Sequence, residues 1–164
     1  MLGQLNIRDD RRISQMRVIP ILSEAEFKSR FGALLRAVPP GMIRDHSFFD
    51  MPANRPPWRD TRLKLEAGEQ VTTFARGRTC FDGTDLWFGP DFQIWRRIGK
   101  RGQISRGTRA GNTFTVEAAG PLFFASYFPG EWSTQTGEQA SPPEAYNLVS
   151  GDFTVLVIRW RVDP

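Results

Sequence analysis

The sequence predicts a mainly β protein: an antiparallel, jelly-roll-like β-sandwich preceded by one amphipathic helix. Three observations predict it. From residue 58 onward, short β-prone runs alternate with Gly-centred breaks at close spacing, the pattern of a sandwich rather than of βαβ units. Aromatic usage is skewed, with 13 Phe and 5 Trp against 2 Tyr, which suits a packed sheet interior. The third observation is one stretch of helical spacing, Phe27, Phe31, Leu34 and Leu35, between a capping signal and a double proline.

The elements follow in order. Residues 1–15 are polar, charged and without periodicity, and read as a loose arm. Met16–Leu22 is a short apolar run broken by Pro20, at best an edge strand. Ser23-Glu24-Ala25-Glu26 is a capping box, so a helix is expected from about Glu24 to Ala37, ending before Pro39-Pro40-Gly41. Being amphipathic, it should pack on the sandwich or on a second copy of the chain. Residues 42–57 read as a connection. The expected organisation is therefore an arm with helix and linker over 1–54 and a sandwich domain over 55–164.

Within that domain the expected strands are Thr61–Glu66, Glu69–Ala75, Arg78–Phe81, Thr84–Phe88, Gln93–Ile98, Thr113–Ala118, Pro121–Tyr127 and Asp152–Val162. Leu63 and Leu65 share one face, and Arg62, Lys64 and Glu66 the other, the period of a half-buried strand. Gly89-Pro90 suits a tight reversal between its flanking strands, with Trp87 and Trp95 large enough to anchor a core. The run Phe153–Trp160 is the most β-prone and should be central. The long connection Phe128–Ser150 carries three prolines, and such loops are commonly functional.

Composition narrows the function. A chain of 164 residues can bury a real core. Its net charge is +4 and its pI near 9.8. Residues 1–57 hold nine basic and six acidic side chains, residues 58–164 thirteen and twelve. The basicity is mild and lies mostly outside the sandwich, which argues against a dedicated nucleic-acid binder. Cys80 is the only cysteine, so no intramolecular disulfide is possible, and it reads as a small core residue. The N-terminus has no signal-like apolar core and no run suffices for a membrane span, so cytoplasmic residence is the default expectation.

The chemistry-bearing residues are few. Arg44-Asp45-His46-Ser47 brings His, Asp and Ser together in sequence, which does not make a triad. The glycines are spaced as turn residues and form no phosphate-binding loop. With no acid/base pair and no nucleophile constellation, a non-catalytic protein is expected. Arg96, Arg97, Lys100, Arg101, Arg106 and Arg109 lie within fourteen residues that contain no acidic side chain. That stretch can bind phosphate, sulfated sugar or RNA, or simply be a solvated hairpin face. Tyr127, Glu131 and Trp132 sit at a strand end and in the long loop, with Asn147 and Gln135 further on. A sugar site needs an aromatic face for the apolar side of the ring and carboxylates or amides for its hydroxyls, and this set has both. Trp132 also fits a plain loop-packing role.

Trp58-x-Asp60-Thr61-x-Leu63-x-Leu65-x-x-Gly68-x-x-Val71 resembles the opening strands of the bacterial galactophilic lectins, the LecA-like family. The likeness continues through Gly89-Pro90-Asp91, Ile98-Gly99, Gly107, Ala119-Gly120-x-Leu122, Pro129-Gly130 and Ser150-Gly151-x-Phe153-x-Val155. It covers most of residues 58–160. The resemblance implies a galactose-binding-type sandwich whose partner is a carbohydrate or glycoconjugate. Arg62 and Glu69 stand where the family usually shows Gly and Asp. Members of the family bind sugar through calcium, held by an Asn-Asp pair and by an Asn pair. Here Tyr127-Phe128 occupies the first place and Asn147-Leu148 the second. Calcium takes six to eight oxygens, carboxylates among them. The expectation is therefore no cofactor and a calcium-independent lectin-like domain, with Tyr127, Glu131, Trp132 and Asn147 as ligand-binding residues. The alternative is a structural or protein-interaction sandwich that has lost sugar binding. A homo-oligomer, or further domains of a longer protein, are the other partners compatible with the sequence.

Overall fold

A computed structural model describes residues 21–55, 57–106, 110–126 and 132–161. The strands are β1 (Ile43–Pro52), β2 (Arg59–Leu65), β3 (Gln70–Phe81), β4 (Trp87–Phe88), β5 (Ile94–Ile98), β6 (Gly111–Thr115), β7 (Gly120–Ser126) and β8 (Val149–Trp160). The helices are α1 (Glu24–Ala37) and the single turn α2 (Pro90–Gln93), with a 3-10 helix at Pro143–Leu148. Five strands form one antiparallel sheet in the order β1-β8-β3-β4, with β6 pairing the first half of β3 beside β4. Three form the other, in the order β2-β7-β5. This is the antiparallel sandwich that the sequence predicts.

The long central strand β8 shows how alternation builds three layers. Its odd residues Phe153, Val155 and Val157 enter the core between the sheets, with Met51, Leu65, Val71, Ile94, Leu122 and Phe124. Its even residues Leu156 and Ile158 point the other way, under α1, where they meet Phe27, Phe31 and Leu35. The capping box at Ser23 and Glu26 forms as expected and fixes where the helix starts. Phe27 is 2% exposed and its ring meets Phe31 at 4.7 Å and Phe48 edge-on at 6.0 Å. Leu34, counted among the apolar face in the sequence, is 61% exposed.

Four local expectations are corrected. Residues 42–57 are not simply a connection: β1 runs antiparallel along β8 from Ile43↔Trp160 to Pro52↔Asp152 and is an edge of the larger sheet. Its polar Arg44-Asp45-His46-Ser47 start masks the strand pattern, because an edge faces solvent. The break expected between Ala75 and Arg78 is absent. Gly77 lies inside β3 with φ of 113°, and a Cβ there would sit 2.1 Å from the Asp152 carbonyl oxygen. Glycine is required by the close approach of β8, not by a turn. Gly89-Pro90 does not close a hairpin. β4 belongs to the larger sheet and β5 to the smaller, so α2 carries the chain from one to the other. Trp87 consequently sits at a sheet edge, 50% exposed, under the Arg78 guanidinium rather than in the core. Of the expected strand Met16–Leu22, residues 16–20 lie outside the described part, and Ile21 and Leu22 are not in a strand.

At one end of the sandwich Arg159 and Glu69, 7% and 6% exposed, pair at 2.6 Å. Asp45 meets Arg159 at 3.1 Å, and Arg44 reaches Glu69 from β1. Cys80 is buried in β3, as expected of a small core residue. No helix among the described residues is long and apolar enough to cross a membrane.

Candidate functional site

The outer face of the three-stranded sheet carries the most concentrated arrangement of aromatic and basic side chains. On β5, Ile94 and Ile98 face the core, so Trp95 and Arg97 face outward, and on β7 Phe124 faces inward and Phe123 outward. Two loops fold over this face. The first is a strap from Gly99 to Arg106. Gly99 and Gly102 let it turn sharply, and a Cβ on Gly102 would lie 1.9 Å from the Ile98 carbonyl oxygen. The strap is then tied to the free edge of β5, Ser105 donating to the Arg96 carbonyl at 2.8 Å and Arg96 to that of Ser105 at 2.9 Å. The second is the loop after β7, described from Trp132 onward. It is joined to the strap by the Ile104 N–H, which donates to the Gln135 carbonyl at 2.9 Å.

Beneath the loops runs a ladder of stacked rings and guanidinium groups. Arg97 lies 4.2 Å from the centre of the Trp58 ring and 5.4 Å from that of Phe123. Trp132 stacks on Trp58 at 5.1 Å, tilted by 30°, and meets Trp95 nearly edge-on at 6.2 Å. Arg106 covers Trp95 at 5.1 Å. Hydrogen bonds lock the stack. The Trp58 indole N–H donates to the Gly137 carbonyl at 2.6 Å, and Arg97 Nη1 to that of Thr136 at 2.7 Å. Gly137 has φ of 76°, and a Cβ there would come within 2.5 Å of Trp58 and 2.6 Å of Ile104, so only glycine lets the loop close onto the ring.

Two clefts open beside the strap. The larger, about 600 Å³, is walled by Trp95, Trp132, Ile104 and Arg106, with Gln103, Ser133, Thr134 and Gln135 supplying polar groups. The smaller, about 440 Å³, shares Gln103 and Ile104 and adds Arg96, Phe114 and Glu117. Arg96 faces inward from β5, and its guanidinium stacks 3.7 Å from the centre of the Phe114 ring on the opposite sheet. Nη1 of Arg96 is buried and has no hydrogen-bond partner. Burial lowers the Arg96 pKa to about 10, and burial also lowers that of Arg97.

Of the residues singled out in the sequence, Trp132 and Gln135 wall the larger cleft. Asn147 is exposed on the 3-10 helix leading into β8 and is not part of that wall. Tyr127 and Glu131 lie outside the described residues. Sequence reasoning missed Trp95, which it gave to the core, and Gln103, Ser133 and Thr134. Arg106 it grouped with five other basic residues, of which Arg96 and Arg97 point to opposite faces of β5. The alternation along Ile94-Trp95-Arg96-Arg97-Ile98 was the available signal: with isoleucines inward, Trp95 and Arg97 must share the other face. His46 lies exposed on β1, and its neighbour Asp45 is engaged by Arg159. Among the described residues no group of three or more His, Cys, Asp or Glu side chains is placed to hold a metal ion.

No protein-family model matches this sequence, and no curated protein matches it. Solved structures that resemble it include the N-terminal domain of EclA, a PllA-like lectin, at 19% sequence identity and a TM-score of 0.50. The likeness spans 68% of this chain and 94% of that one. At that identity it is the fold that is shared: this chain has a lectin-like β-sandwich.

Proposed function

We propose that this chain is a non-catalytic carbohydrate-recognition domain of the LecA-like kind that binds its glycan without calcium, in the larger cleft beside Trp132. The observation that carries the reading is the composition of that cleft: two indole walls at a right angle, with amides and hydroxyls around them. A pyranose presents an apolar face and a belt of hydroxyls, and this pairing answers both. Glu131, next to Trp132 in sequence, and Tyr127, five residues before it, belong to the proposed ligand-binding set; Asn147, which is not on the cleft wall, is proposed only as a more distant contact. The shared fold of a PllA-like lectin domain supports the reading, since loops laid over a sheet face can vary while the strands hold their geometry. The test is a glycan array run with calcium and with chelator, on the natural chain and on Trp132→Ala. The expected result is equal retention in both buffers and loss of retention in the variant.

A second reading, a protein-interaction module, has its own observation. Leu86, Trp87 and Phe92 are 56%, 50% and 44% exposed and lie in or beside β4. Apolar side chains so grouped mark contact surfaces. A blank glycan array would put this reading first.

A further inference from the structure

The described walls of the two clefts carry arginines that pair with no carboxylate. Other arginines drawn out of water are paired, Arg159 with Glu69 and Asp45 and Arg76 with Asp152, although Arg59 also keeps a buried Nη1 without a partner. Among the described residues, Arg96, Arg97 and Arg106 form no ion pair with a carboxylate. Arg96 is the sharpest case. Its guanidinium is wedged between the sheets on Phe114, lines a cleft, and leaves Nη1 buried without an acceptor. A charge in that position weakens the fold unless an anion arrives to pair with it. On the other side of the strap, Arg106 lines the larger cleft, held over Trp95 and exposed. Gln103 and Ile104 wall both clefts, so a ligand crossing the strap meets Arg106 first and Arg96 second.

We infer that the glycan taken by this site is acidic, carrying sulfate or carboxylate groups on neighbouring residues, and that it lies across the strap with one acidic group on Arg106 and the next on Arg96. The inference rests on the carbohydrate reading above and names the substrate class of the same site. A guanidinium fork matches the paired oxygens of either group. Single-stranded nucleic acid fits the site less well. It stacks its bases on a succession of open aromatic platforms, whereas here Trp58 and Trp132 stack on each other and on arginine. Among the described residues, Glu117 is the one carboxylate on the walls of the two clefts, and it opposes an anion in the smaller one.

The experiment is calorimetric titration with four probes: a heparin hexasaccharide, its fully desulfated and carboxyl-reduced counterpart, a galacturonic acid hexamer, and a dT oligonucleotide of similar charge. We expect the sulfated and uronate probes to bind and the neutral counterpart to bind at least about tenfold more weakly. Arg96→Gln and Arg106→Gln should each weaken the acidic probes by about tenfold, the loss of one charge-assisted contact. Glu117→Gln should strengthen them, and Arg30→Gln, on the exposed side of α1, should change nothing. Preference for heparin over the uronate assigns sulfate as the group recognised; the reverse assigns carboxylate. Equal affinity for the neutral counterpart overturns the inference while leaving the carbohydrate reading standing. Tighter binding of the oligonucleotide, indifferent to Trp132→Ala, overturns it in favour of a general polyanion surface. Binding by none of the probes, with a neutral glycan retained on the array, also overturns it.

Discussion

Replacing Arg96 by methionine should make the protein more stable. The guanidinium is held between the sheets, and burial alone lowers its pKa to about 10. A depression of that size corresponds to roughly 3 kcal/mol of unrepaid desolvation. The group borders an open cleft, so water screens it, and a discounted penalty of roughly 1–2 kcal/mol is appropriate. Against this stands the contact with Phe114 at 3.7 Å, which stabilises by about 0.5–1 kcal/mol in such settings. Methionine keeps the length of the stem and an apolar contact with the ring. The net expectation is a gain of about 1 kcal/mol, equivalent to a rise of about 2–4 °C in Tm for a chain of this size. The sign with pH is also fixed. A base whose folded-state pKa is lowered binds its proton less well when folded. The penalty is therefore complete below about pH 10 and relieved only as pH rises above it. Urea unfolding at pH 7 measures it, with an unchanged m-value as the check that the compact state is the same. A loss of 1 kcal/mol or more would refute the reasoning, because it would mean that the native protein already compensates this charge.

Three further outcomes follow from the packing. Calcium and chelator should leave Tm unchanged, since a ligand of the native state raises stability as RT ln(1 + [L]/Kd) and a saturable upshift of several degrees would reveal a metal site. Phe27→Ala should cost roughly 3 kcal/mol in denaturant unfolding, because Phe27 is 2% exposed beneath α1; a cost under 1 kcal/mol would mean that the helix does not hold its place. For Glu69, burial pushes the carboxyl up, but the Arg159 hydrogen bond, the Glu66 amide and the charges of Arg159 and Arg44 outweigh it, so its pKa lies below 4.5. A depressed carboxylate contributes stability above its unfolded pKa and loses it as pH falls through the folded one. Glu69→Gln should therefore destabilise at pH 7, by roughly 3–5 kcal/mol where the buried Arg159 keeps no other partner and less insofar as Asp45 retains it, and the difference from the natural chain should shrink below about pH 4.

Much of the fold was legible because local rules and global packing agree. Ser23 and Glu26 announce the start of α1, and the near-continuous β-prone run Phe153–Trp160 announces a central strand. What was not legible came from long-range contact. Gly77 looks like a turn residue until β8 is seen to leave no room for a side chain. Arg62 occupies a left-handed position with φ of 64°, held by Asp60 Oδ1, which accepts its N–H at 2.7 Å; a propensity reading of Arg62 gives a plain strand residue. The site was half legible. Trp132 and Gln135 stand out by residue type, but Trp95 and Arg106 join them only because the strap folds back on β5. The run of six basic residues reads as one patch in sequence. In the fold, Arg96 and Arg97 go to opposite faces of the same strand, and the first stacks on Phe114 while the second stacks on Trp58.

The central claim is that a glycan binds against Trp132 and Trp95. Its most direct test is the set of indole N–H signals of the 5 tryptophans in an 15N–1H correlation spectrum. These are titrated with whichever glycan the array retains, or with the heparin hexasaccharide. The account predicts saturable shifts of the Trp132 and Trp95 signals, assigned by single Trp→Phe substitutions, at one common Kd. Trp87 at the β4 edge and Trp160, whose N–H donates to Thr72 Oγ1 beneath α1, should stay in place. Shifts confined to Trp87, or no shift of any indole at saturating glycan, would contradict it.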